Sequence, residues 1–166
     1  MTSILKVDTI QGANGSDIPY IKNHVLQVKQ TVKTDIFNTA DNTFVDITGL
    51  TVDITPQSTS STIMVEVHIG NHNSSGATSI QYNLRRGSSN IGTSTGGSGT
   101  NCSFAATITG NRGEAISMKY LDDPQTTSAI TYGVQVQAAD VGDIYINSRT
   151  GVHSTISTIT VTEIGG

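Results

Sequence analysis

The chain has 166 residues, a formal net charge of −4 and 13% charged residues, half the usual share of about 25%. Thr (25), Ile (19) and Val (13) far outnumber Leu (5). That balance argues against a helical bundle or coiled coil and favours strands, whose pleated surface suits β-branched side chains. Nine scattered Lys and Arg leave no basic footprint for nucleic acid, and no apolar run approaches the ~18 residues of a membrane helix.

Residues 1–23 read as an extended N-terminal arm. Ile4-Leu5-Lys6-Val7-Asp8-Thr9-Ile10 has the look of a short strand. Gln11–Asp17 is a turn, with Asn14-Gly15 as its sharpest signal. Extended structure resumes at Ile18-Pro19-Tyr20-Ile21, because proline disfavours helix in the residue before it. A piece this short cannot bury a core. Its residues Ile4, Leu5, Val7, Ile10, Ile18, Tyr20 and Ile21 are expected to dock on a partner chain. No charged n-region followed by an apolar core precedes them, so the segment does not read as a signal peptide.

From residue 24 to residue 166 one strand follows another, and these residues read as a single head domain. His24–Lys33 is a mixed strand, and Phe44–Ile54 holds two short runs broken at Thr48-Gly49. In Thr62–Gly70, Ile63, Val65, Val67 and Ile69 face one way and Met64, Glu66 and His68 the other. The same alternation runs through Ile80, Tyr82 and Leu84; Phe104, Ala106 and Ile108; Ile116, Met118 and Tyr120; and Ile130 to Ala138. Ile144 and Ile146 mark a short strand, and Ile159 and Val161 alternate with threonines at the end. About nine strands with Gly-, Asn- and Ser-rich turns predict an all-β fold: an antiparallel, jelly-roll-like β-sandwich. Loops at 70–78, 87–101 and 110–114 are the expected recognition elements, with Asn71, Asn73, Asn90, Ser94, Asn111 and Arg112 as candidate contact residues.

The chemistry-bearing residues form no catalytic constellation, and the chain does not read as an enzyme. His68 and His72 lie four apart on extended chain, ~13 Å at ~3.3 Å per residue, too far to share one zinc. Asp122-Asp123 and Asp140–Asp143 read as turn caps rather than a calcium loop. Cys102 is the one cysteine and begins an apolar row with Phe104, which reads as a buried, inert thiol. Ser94–Gly99 lacks the lysine of a phosphate loop. Asn73-Ser74-Ser75 matches a glycosylation sequon, relevant only in a secretory pathway. Arg85-Arg86 and Arg112 are the densest cations. No metal or cofactor is expected. Outward strand positions are Thr, Ser, Gln and Asn more than Lys and Glu, and such a surface is cheap to desolvate. That composition predicts an assembly with large subunit contacts.

The opening Ile4-Leu5-Lys6-Val7-Asp8-Thr9-Ile10-Gln11 resembles the N-terminal segment of structural proteins of marine, largely cyanobacterial, tailed phages. Arg112–Pro124, with Tyr120-Leu121-Asp122-Asp123-Pro124, and Thr126–Tyr132 resemble the core of that group's tail-fibre-like proteins. Val141–Asn147 and Ser157–Ile164 are similar to the same group, and Asp123 stands where a serine is expected. The resemblance implies a β-rich, trimeric component of the virion, with no catalytic residues to carry over. It implies a short tail fibre whose arm joins other virion proteins and whose head meets a host polysaccharide or outer-membrane protein. The alternative is a capsid decoration or cement protein, or a head fibre, on the capsid surface. Neither form calls for nucleic-acid binding or membrane insertion.

Overall fold

A computed structural model describes residues 23–166 apart from 78, 97–98, 108–112, 141 and 150–152. The arm residues Ile4, Leu5, Val7, Ile10, Ile18, Tyr20 and Ile21 lie outside the described residues, as do Ile108, Asn111 and Arg112.

Each of the nine predicted segments forms a strand, most of them because they carry the period-two alternation that lets one face bury. They are β1 (Val25–Lys33), β3 (Val45–Ile54), β4 (Thr62–Ser75), β5 (Ser79–Arg86), β7 (Phe104–Thr107), β8 (Glu114–Asp122), β9 (Ile130–Ala138), β10 (Asp143–Ile146) and β13 (Ser157–Ile164). Four shorter ones join them: β2 (Phe37–Thr39), β6 (Ser89–Ile91), β11 (Ser148–Arg149) and β12 (His153–Ser154).

One sheet runs β1-β13-β4-β10-β2, with β8 also on β4; the other runs β3-β9-β5-β6, with β7 also on β5. All pairings are antiparallel. His72 pairs with Glu114 of β8 and Ile146 of β10, so β10 takes the side of β4 that β13 occupies further down. β10 and β13 therefore form one interrupted strand, and β1 and β2 form another beyond it. Leu84 pairs with both Ile91 and Val134, and Tyr82 with both Phe104 and Val136, so β6 and β7 share one edge of β5. Counted as eight lines in chain order, the first sheet reads 1-8-3-6 and the second 2-7-4-5. That is the double Greek key of a jelly roll. The small β11–β12 ribbon is formed by chain between β10 and β13.

Between the sheets lie Ile63, Val65, Val67 and Ile69 of β4 and Ile159 and Val161 of β13, facing Ile80, Tyr82, Leu84, Tyr132, Val134 and Val136. Each large aliphatic buried in this way is worth about 1.5–3 kcal/mol relative to exposure. In β3 the register slips between Asp46 and Thr51. Gly49 sits there at φ +80°, and the bulge lets both Ile47 and Leu50 point into the core.

Two loop expectations are overturned. Residues 89–91, inside the predicted loop 87–101, form β6 and carry Asn90, because β5 gives them a hydrogen-bonding partner. Residues 70–75 are not loop but the continuation of β4, and Asn71 and Asn73 are buried. The cause is tertiary: β10 lies alongside 72–75 and gives that stretch a hydrogen-bonding partner, while Asn147 N–H donates to Asn71 O at 2.9 Å.

Candidate functional site

The sandwich has two unlike ends. At one, Asn23 N–H donates to Gly165 O at 2.6 Å and Gly165 N–H to His24 O at 2.9 Å, so the chain enters the head beside its last strand. Glu163, fully buried, braces this end. Its carboxylate accepts the Gln57 backbone N–H and the Gln27 side-chain amide, each at 2.6 Å. At the opposite end β4 and β7 finish and β5 and β8 begin, with strand ends that meet at Ser79 and Thr107 and at His72 and Glu114. The 14 residues of β4 span the distance, about 45 Å at ~3.3 Å per residue.

The described candidate contact residues do not converge. Asn90 is exposed on β6 opposite Arg85, toward the end where the chain enters. Ser94 is exposed on the insertion between β6 and β7, its N–H donating to Cys102 O at 3.2 Å. Asn71 and Asn73 lie inside the fold near the far end.

The outer face of the β1-β13-β4-β8 sheet carries residues that the search for loops and motifs passed over. The register lines up Val28, Thr162, Met64 and Leu121 in one row across all four strands. The next row is Gln30, Thr160, Glu66 and Lys119, and the next Val32, Thr158, His68 and Ser117. Val28 is 56% exposed, Val32 46% and Leu121 59%. The signal was present in the sequence: Val28, Val32, Met64 and Leu121 are large apolar residues out of phase with the core positions. Polar groups on this face satisfy one another. Gln30 Nε2 donates to Thr160 Oγ1 at 2.8 Å, Lys119 Nζ meets Glu66 Oε1 at 2.6 Å, and His68 Nδ1 lies 2.8 Å from Ser117 Oγ. The His68–Ser117 pair sits on open sheet with both residues exposed.

A polar cluster ties the sheets together at the entry end, and an aromatic contact joins them further along. Tyr132 Oη donates to Asp122 Oδ2 at 2.6 Å, and Arg86 Nη1 reaches both oxygens of Asp122 at 2.9 and 3.0 Å. Burial and the adjoining Asp122 carboxylate push the Tyr132 hydroxyl far above its usual range, so it serves as a fixed donor. Toward the far end, His72 and Tyr82 approach with ring centroids 6.0 Å apart, and Tyr82 stacks on Phe104 at 4.7 Å. Burial lowers the His72 pKa, partly offset by Glu114, and raises that of Tyr82. Cys102 is half-buried, and burial raises its thiol pKa, which disfavours the reactive thiolate. Among the described residues no three His, Cys, Asp or Glu side chains group to hold a metal ion, and no helix is long and apolar enough to cross a membrane.

In comparisons with known proteins, the chain matches no protein-family model and no curated protein.

Proposed function

We propose that this chain is a virion structural protein. In this reading it is a short trimeric tail fibre of a tailed phage, residues 1–23 anchor it to the particle, and the jelly-roll head of residues 24–166 contacts the host surface. The supporting observation is the opposition of the two ends. The chain enters at Asn23 beside Gly165, while β4 and β7 finish and β5 and β8 begin at the far end of the strands. An arm fixed to a particle would hold those strand ends outward, and loops on a rigid scaffold are where a surface is recognised. The resemblance of Ile4–Gln11 and Arg112–Tyr132 to phage structural proteins points the same way. Three copies held together would turn weak single contacts into useful avidity.

The test is adsorption of virions to host cells in the presence of excess purified chain. Competition is the expected result. Undiminished adsorption at concentrations well above the measured affinity would overturn the host-contact role. Antibody labelling of intact particles places the protein: tail label is expected, and head label would make it a capsid decoration protein or head fibre instead.

A further inference from the structure

We infer that the outer face of the β1-β13-β4-β8 sheet is the surface through which copies of this chain bind one another, with Val28 and Leu121 as its apolar anchors. The inference rests on the proposed trimer and names the surface that forms it. Val28 and Leu121 stand at the two ends of one row, with Thr162 and Met64 between them. The row therefore offers a large apolar side chain at each flank, on β1 and on β8. Both are edge strands of the sheet among the described pairings. A ring of three copies that sets the β8 flank of one against the β1 flank of the next buries both anchors of every copy.

Three properties identify the occupant as a second copy. First, the three rows are electrically self-contained. Their one Lys and one Glu, Lys119 and Glu66, already meet each other at 2.6 Å, so no net charge is left to select a charged ligand. A chain of net charge −4 that must approach its own copies does so at least cost where the local charge is zero. Second, the polar groups of the face are paired within it, Gln30 with Thr160 and His68 with Ser117. Covering them therefore leaves few donors or acceptors stranded, which is the main cost of burying polar surface. Third, the face is of interface size. Four strands ~4.8 Å apart and about nine residues long make a face of roughly 600 Å² in projection, the order of the ~800 Å² per partner of a standard interface, here divided between the two neighbours of the ring.

The experiment uses the full chain. Its mass in solution is measured by analytical ultracentrifugation from about 0.1 to 50 µM, for the native sequence and for Leu121→Glu, Val28→Glu and Asn90→Glu. Circular dichroism and thermal melts check that each variant is folded. The native chain should sediment at about three times its 17.4 kDa mass. Leu121→Glu and Val28→Glu should stay folded and raise the dissociation constant at least about a hundredfold, because a charge at an apolar anchor is stranded on assembly. Asn90→Glu, on the other sheet, should leave it unchanged. A native oligomer that tolerates both anchor variants would overturn this assignment of the surface and leave the trimer standing. A native chain that stays at 17.4 kDa throughout would overturn the trimer itself. If an anchor variant does not fold, Leu121→Ser and Val28→Ser take its place, with at least a tenfold weakening expected.

Discussion

Tyr132 of β9 donates its hydroxyl to the buried Asp122 of β8 at 2.6 Å, and so hydrogen-bonds one sheet of the sandwich to the other. Arg86, from the end of β5, closes the cluster on both oxygens of the same carboxylate. The cluster lies at the end where the chain enters, where Ile63 pairs with Asp122 on one side and with Glu163 of the brace on the other.

Removing the Tyr132 hydroxyl therefore has a defined cost. Tyr132→Phe keeps the packing and should lose about 1.5–3 kcal/mol, as for a hydrogen bond to a charged acceptor. Asp122→Ala leaves a buried hydroxyl and a partly exposed guanidinium without their partner, and should lose about 3 kcal/mol. Urea unfolding of the two single variants and the double variant measures both. The double variant should lose less than the sum by about 1 kcal/mol or more, because one bond cannot be lost twice.

His72 predicts a dependence of stability on acid. It is 1% exposed, and burial holds its folded pKa below the ordinary 6.5. The unfolded chain then binds a proton at higher pH than the folded chain does, so stability is complete above pH 6.5 and falls as pH drops from there toward the folded pKa. The melting temperature should drop on moving from pH 7.5 to 5.5. His72→Gln should flatten that part of the profile, and an unchanged slope in the variant would assign the effect to other groups.

Gly92 permits one close approach between the sheets. It lies at φ +62°, and a Cβ there would come within 2.9 Å of the Tyr120 ring. Gly92→Ala should cost about 1–3 kcal/mol, from backbone strain and contact together. Adding Tyr120→Leu should recover only part of it, because the smaller side chain relieves the contact and not the backbone. Urea midpoints of the two variants separate the terms.

Deleting residues 1–22 should leave the head folded. Among the described residues the buried hydrophobic cluster runs from Ile47 to Val161, and β1 keeps its partner β13. The melt should remain cooperative and within a few degrees of the full chain. Particles assembled with the truncated chain should lack it on immunoblots, since the arm is the proposed anchor. Incorporation at normal copy number would move the anchor to the head.

Much of the sandwich was readable along the chain. Ile63, Val65, Val67 and Ile69 alternate with polar neighbours, and side chains of a strand alternate between faces whatever strand lies beside them. The break at Thr48-Gly49 was equally visible, because glycine in a strand pattern marks a place where the backbone must depart from it. The candidate site was less legible. Asn71-His72-Asn73-Ser74 carries the residue types of a turn, yet it is the buried end of β4. What made it strand was β10, from a distant part of the sequence, lying alongside it.

The amino-acid sequence by itself determined the all-β class and the inward face of each long strand, since both follow from local side-chain geometry and composition. Only the tertiary structure decided which strands are neighbours, and with that which residues share a surface. Val28, Met64 and Leu121 are far apart along the chain and become one row because β1, β13, β4 and β8 pair in that register. Pairing between distant strands is a property of the whole fold, so neither the buried Tyr132–Asp122 bond nor the apolar outer row has a local signature that reveals its partner.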